Sequence, residues 1–323
     1  MSQQWLTIVG ATVSVFSVIG IGAVSRRAGW LNEEADHSLL ELVIRVLLPC
    51  LIFSAVSNNQ ALKLPSNIYL PPLIGFTTIC LGLAVAAVAV ILPSRLIGPT
   101  SARERRTFMF SVGVHNYGYL AIPLVIQLFD EETLGVLFMH NMGAGLAFWS
   151  FGFMILSGRW DRRWYRHMIN APTVAIVFSL AFNSTGAGEH VPGFIAKTIE
   201  WLGQASIPLS LILIGATIAD ELRPGAKGPN MAATMKIIGW ACLLRVGLLP
   251  IGFLLIAILM PGSLELKRVL VVEAGMPSAV LPIVLARHYG GDPGTALRVA
   301  LSTSMLALFT LPLWISLGLA IIE

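Results

Sequence analysis

Gly113-Val114-His115-Asn116-Tyr117-Gly118-Tyr119-Leu120-Ala121-Ile122-Pro123 interrupts an apolar segment near its middle with helix-breaking and polar residues. A counterpart, Glu273-Ala274-Gly275-Met276-Pro277-Ser278-Ala279-Val280-Leu281-Pro282, breaks a second apolar segment, and its last proline stands 159 positions after Pro123. Lipid cannot satisfy the N–H and C=O groups that a broken helix frees. Such backbone persists at membrane depth only where protein buries it or where it lines a water-filled cavity. Two breaks in corresponding places therefore predict one shared site, with Gly113, Pro123, Gly275 and Pro282 as the breaking residues.

The membrane itself is implied by composition. Of 323 residues, 56% are hydrophobic and only 12% charged, and the mean hydropathy of +0.79 is too high for a soluble domain of this length. The net charge of +4 does not point to nucleic acid, because the basic residues stand in short loops between apolar runs, where a topology signal belongs. Cys50, Cys80 and Cys242 fall inside apolar segments without metal-ligand spacing, so they read as core residues and no metal site is expected. No positive charge precedes the first apolar run, and Arg26 and Arg27 follow it. That order suits a retained helix rather than a cleaved signal peptide.

Hydropathy and breakers place ten spans at about 4–25, 37–56, 68–92, 107–128, 133–156, 170–183, 197–219, 236–260, 268–288 and 298–320. Most are close to the ~20 residues that cross the hydrocarbon. Loops after odd-numbered spans hold fifteen basic residues: Arg26, Arg27, Arg95, Arg103, Arg105, Arg106, Arg159, Arg162, Arg163, Arg166, Arg223, Lys227, Lys236, Arg287 and Arg298. Loops after even-numbered spans hold four: Lys63, Lys197, Lys267 and Arg268. The asymmetry puts the odd loops in the cytoplasm and both termini outside it.

The halves also repeat. Pro49 and Pro208, Pro123 and Pro282, and Glu41 and Glu200 all share one offset of 159 residues. Five spans per half is an odd number, so the second copy enters the membrane inverted. Inverted repeats with broken helices mark many secondary transporters, with the site near the midplane. The expected fold is all-α, ten transmembrane helices in two inverted five-helix repeats, residues 1–157 and 170–323 joined by a cytoplasmic linker at 158–169, with broken spans 4 and 9 crossing.

A broken helix presents the N-terminus of its second half, with a partial charge of about +0.5, and two such ends attract an anion. Asn116 offers a donor and an acceptor for a carboxylate, or caps freed backbone instead. Tyr117 adds a hydroxyl or an aromatic wall, and Gly118 beside it is a further candidate for the substrate site. Met276, Pro277 and Ser278 stand where span 9 restarts. Asn141, Ser302 and Thr303 are polar residues that either line the same cavity or pack helices. Intramembrane charges need a partner or a task. Glu41 and Arg45 have the spacing of a same-helix pair. Arg245 has no such neighbour, and Glu273 is the carboxylate nearest the second break, as either a proton carrier or an ion-pair partner of Arg245. His115 and His140 are the histidines inside spans, each a packed polar group or a proton acceptor.

An enzyme is not expected. His-Glu-x-x-His and Gly-x-Ser-x-Gly are missing, the aspartates fall in loops or at span ends, and no P-loop string would bind ATP.

His115-Asn116-Tyr117-Gly118-Tyr119-Leu120-Ala121-Ile122-Pro123-Leu124, Ala274-Gly275-Met276-Pro277-Ser278-Ala279, Ala286-Arg287-His288-Tyr289-Gly290-Gly291-Asp292 and Thr310-Leu311-Pro312-Leu313-Trp314 together resemble the auxin efflux carrier family. That family includes plant auxin exporters and bacterial malate and malonate permeases. His115 stands where the family often has Gly, and Ala121 where Gly is common. The resemblance implies a scaffold of spans 1, 2, 6 and 7, a transport unit of spans 3–5 and 8–10, and a homodimer through the scaffold. It implies a carrier of a small organic anion, such as malate, malonate or an auxin-like acid, working by alternating access, while the short loops and the lack of organelle-targeting features suit a bacterial cell inner membrane or an archaeal plasma membrane. A more distant similarity to bile-acid sodium symporters gives the alternative of sodium coupling, with Glu273 as a sodium ligand. Coupling to H+ or Na+, or a channel or receptor on the same fold, stays open from sequence alone.

Overall fold

The structure is a computed structural model that describes residues 2–159, 165–166, 169–222 and 231–323. Arg162, Arg163, Arg223 and Lys227 of the charge pattern, and part of the 158–169 linker, lie outside the described residues. The described residues are helical, and seven helices are long and apolar enough to cross a membrane. These are α1 (Gln3–Arg27), α2 (Glu33–Val56), α3 (Ser66–Ile91), α6 (Glu131–Ser157), α8 (Gly193–Asp220), α9 (Met231–Leu259) and α12 (Pro293–Ile322). The short sixth span is α7 (Ala171–Thr185). Span 4 divides into α4 (Ala102–Gly113) and α5 (Ala121–Leu128), and span 9 into α10 (Leu264–Gly275) and α11 (Leu281–His288).

Local sequence sets these boundaries. Ser101 and Glu104 close a reciprocal capping box on α4, while Asn32, Asp130, Asn170, Ser263 and Asp292 each accept from a backbone N–H of the helix they start. Pro49 and Pro250 remove a helical N–H, and the turns just before them, Val43–Leu47 in α2 and Leu243–Leu248 in α9, widen to π-helix. Pro123 and Pro282 do not form the breaks that were expected of them. They fall in the first turns of α5 and α11, where a missing N–H costs nothing, and the non-helical backbone precedes them. Gly113 and Gly275 are the last residues of α4 and α10.

The helices pack in two groups. α1 lies against α8, and α2 against both α8 and α7; in the other group α3 packs on α6 and α4, and α10 on α9, α12 and α6. The groups meet where α1 touches α5 and α12 and where α2 touches α6. Glycines permit the closest approaches. A Cβ on Gly143 of α6 would strike the Pro72 carbonyl of α3, and one on Gly215 of α8 the Ile19 carbonyl of α1. Without a hydrophobic drive between helices in lipid, such backbone proximity is a main source of packing energy.

Candidate functional site

The two breaks cross and pair. His115 and Ser278 form an isolated antiparallel bridge, in which the Asn116 N–H donates to the Pro277 carbonyl at 2.9 Å and the Ala279 N–H donates to the Val114 carbonyl at 3.0 Å. The Ser278 N–H donates to Thr303 Oγ1 of α12 at 3.2 Å, and Arg245 Nε of α9 donates to the Met276 carbonyl at 3.0 Å. Freed backbone groups at membrane depth are thus satisfied by protein, as lipid requires.

Behind this bridge lies a polar cluster with no solvent exposure. His115, His140, Arg245, Glu273 and Ser278 are each 0% exposed. His115 Nε2 is 3.2 Å from Glu273 Oε2, and His140 Nδ1 is 3.9 Å from Glu273 Oε1. These are ion-pair distances without the alignment of a hydrogen bond, and both Glu273 oxygens and both Arg245 Nη atoms have no hydrogen-bond partner among the described residues. Arg245 interacts electrostatically with Glu273. Its guanidinium lies 5.1 Å from the centre of the Phe253 ring, and the His115 ring packs edge-on to the same phenyl at 5.3 Å.

In front of the bridge is a cavity of about 390 Å³. His115, Asn116, Tyr117, Gly118 and Asn141 line it, as do the start of α5 and Val280 and Leu281 at the start of α11. It extends toward the end of the molecule where α6 finishes and α7 begins, reaching Trp149, Asn170 and Thr173, and α2 and α8 close its far wall through Ile44, Leu48, Ser206 and Ser210. No Arg, Lys, Asp or Glu is among the described residues that line it.

Several sequence expectations change here. Met276, Pro277 and Ser278 are buried behind the cavity and do not line it, because the bridge to His115 and the contacts from Arg245 and Thr303 enclose that part of the break. Ala279, Val280 and Leu281 face it instead. Thr303 donates to the Val299 carbonyl at 2.7 Å and braces Ser278, and neither it nor Ser302 is at the cavity. Glu41 and Arg45 pair within α2 on its exposed face, away from the site. Asn170, Thr173, Ser206 and Ser210 were missed. Ser206 and Ser210 are four residues apart on either side of Pro208, a polar stripe on one helical face that the pattern already carried.

A model described as a membrane transport protein family matches residues 7–163 and 160–315. The chain belongs to the auxin efflux carrier family. Among the family's other members, an uncharacterized transporter of Methanothermobacter thermautotrophicus is 27% identical over 316 residues, covering 96% of this chain and 99% of the relative. An uncharacterized transporter of Methanocaldococcus jannaschii is 25% identical over 314 residues, covering 93% and 95%. The carrier is thus a multi-pass membrane protein whose relatives align along nearly its whole length.

Proposed function

We propose that this auxin efflux carrier family member is a secondary carrier of a small organic monoanion with an apolar body, moved by alternating access through the crossed breaks. The observation that carries this reading is the cavity at which α5 and α11 both begin, walled by apolar side chains and by the Asn116 and Asn141 amides. Two helix N-termini contribute a partial charge of about +0.5 each, which attracts one carboxylate without cancelling its formal charge. A second carboxylate, as in malate or malonate, would find no lysine or arginine among the described lining residues. Burying it unpaired costs several kcal/mol, so dicarboxylates are disfavoured.

The two packing groups support a division into a scaffold of α1, α2, α7 and α8 and a transport unit of the remaining helices. With the split spans each counted once, the seven long helices and α7 make ten crossings in two inverted halves. On the topology that the basic loops predict, both termini lie outside and the cavity faces the cytoplasm, as in an inward-facing state. A second copy of the chain, docked through the scaffold, remains part of this reading.

Exchange in proteoliposomes tests it. Wild type should exchange labelled phenylacetate or benzoate in preference to malate and malonate, and Asn116→Ala should lose at least ten-fold of that activity while staying folded. Normal exchange by Asn116→Ala, or a preference for dicarboxylates, defeats the proposal.

A further inference from the structure

The cluster behind the bridge is not needed to hold an anion, yet four ionisable groups are fully buried there. We propose that Glu273, His115 and His140 form a proton-binding site with Arg245 as its fixed counter-cation, and that its proton is taken up together with the anion in the cavity. The coupling rests on the carrier reading above.

The groups that face Glu273 come from every neighbouring element: His115 and Tyr117 from the first break, His140 from α6 and Arg245 from α9. α12 and α5 add no charged group to this face among the described residues. Arg245 and an ionised Glu273 sum to no net charge. One more proton, on the carboxylate or on the His115 imidazole 3.2 Å away, leaves the cluster at +1. An uncompensated charge is disfavoured at this depth. His115, however, also lines the cavity beside Asn116, so an anion held there would supply the missing negative charge. Proton and anion therefore favour each other, and the loaded carrier is neutral across the pair of sites. The exchange is simple in balance: one proton leaves the cavity water for Glu273 or His115 as one anion enters, and both leave on the other face.

A diffusible cation fits this cluster poorly. The Met276 carbonyl freed by the break, which such an ion would need, already accepts from Arg245 Nε, and the guanidinium repels a second positive charge. His140, 3.9 Å from the other carboxylate oxygen, is a positioning residue or a second proton acceptor on the same group.

Infrared difference spectra of the full chain in lipid, recorded as the pH is stepped, test the proton site without any substrate. Wild type should show a protonated-carboxyl band that titrates, is lost in Glu273→Gln and moves in His115→Gln. A wild type in which neither this band nor a His115 imidazolium band titrates, or a carboxyl band that survives in Glu273→Gln, overturns the site. Should Glu273→Gln not fold, a wild-type band unmoved in His115→Gln overturns it equally. Coupling is read by adding phenylacetate to the protein in weak buffer with a pH indicator, where about one proton per bound anion should be taken up. In proteoliposomes a gradient of one pH unit should then accumulate the anion about ten-fold, the factor that one unit represents. Phenylacetate binding without proton uptake overturns the coupling. No phenylacetate binding by wild type defeats the carrier reading and the coupling with it, while the infrared titration still decides the proton site.

Discussion

Arg245 has no solvent exposure, and the residues around it show what makes that tolerable: the Met276 carbonyl on Nε, the Phe253 face, and Glu273 within electrostatic reach. Removing one member of a buried ion pair leaves the other uncompensated, at a cost of about 3–5 kcal/mol, whereas replacing both by neutral groups of similar size can be close to neutral. Arg245→Met should therefore lower stability by about that amount, and the double variant Arg245→Met with Glu273→Gln should regain most of it in thermal unfolding in detergent. A double variant no more stable than the single one would show that Glu273 and Arg245 do not compensate each other. The sequence carried part of this. The placing of Asn116 and Tyr117 at a helix break and the pair of Glu41 and Arg45 were readable because a helix break and an i,i+4 pair are local signals. The contact of His115 with Glu273 was not, since it depends on how two distant segments cross, and the same crossing hides Met276, Pro277 and Ser278 from the cavity.

At the scale of elements, helix starts and close approaches respond to different chemistry. Partial burial alone would push the Asp130 carboxyl up, but the Thr133 hydroxyl and N–H and the Arg268 guanidinium outweigh it and hold its pKa below the usual aspartate range. A carboxylate with a depressed pKa in the folded state adds stability that is present above its unfolded pKa and is lost as pH falls through the folded value. Asp130→Asn keeps an N-cap oxygen but removes the charge, so it should lose at neutral pH the share of stability that the ionised carboxylate adds, match wild type in acid, and thereby flatten the acid limb of unfolding. Asp130→Ala should lose about 1 kcal/mol at neutral pH. An unchanged acid limb in Asp130→Asn would count against the carboxylate's role. Gly143 offers a contrast. A Cβ there meets the Pro72 backbone, whereas one on Gly20 meets nothing within 4 Å. Gly143→Ala should cost about 1–3 kcal/mol through overpacking, while Gly20→Ala should be neutral or gain up to about 1 kcal/mol in helix propensity. Equal effects at the two positions in thermal melts would refute the packing argument. The sequence held both glycines but not their difference, because hydropathy locates a span and does not say which of its faces meets another backbone.

For the whole molecule, the distribution of polar ties between the two packing groups decides what can move. Arg26 binds Asp36 and Asp220, joining the ends of α1, α2 and α8, and Arg268 binds Asp130 and Glu323, joining α10 to the start of α6 and the end of α12. Among the described residues, each of these clusters stays within one group. The seam between groups is apolar, built of residues such as Ile8, Val15, Leu51, Leu134, Leu137 and Ile315. Sliding one apolar face past another breaks no ion pair. A buried polar tie does cross it. Asn59, after α2, donates to the Glu131 carbonyl at the start of α6 at 2.8 Å and to the Ala55 carbonyl at 2.9 Å, at the end of the molecule opposite the cavity mouth. A hydrogen bond of this kind contributes about 1 kcal/mol net, which as a difference between two conformations is a population ratio of about five. Asn59→Ala should shift the carrier toward the state open at that end. With Cys50, Cys80 and Cys242 replaced by Ala, Ser206→Cys in the cavity wall should be alkylated by an impermeant maleimide from the Asn59 side about five times faster once Asn59→Ala is added. From the opposite side the rate should fall slightly. A folded Asn59→Ala protein with unchanged labelling from both sides would mean that this tie does not hold the seam closed, and that the apolar contacts between α2 and α6 do so unaided.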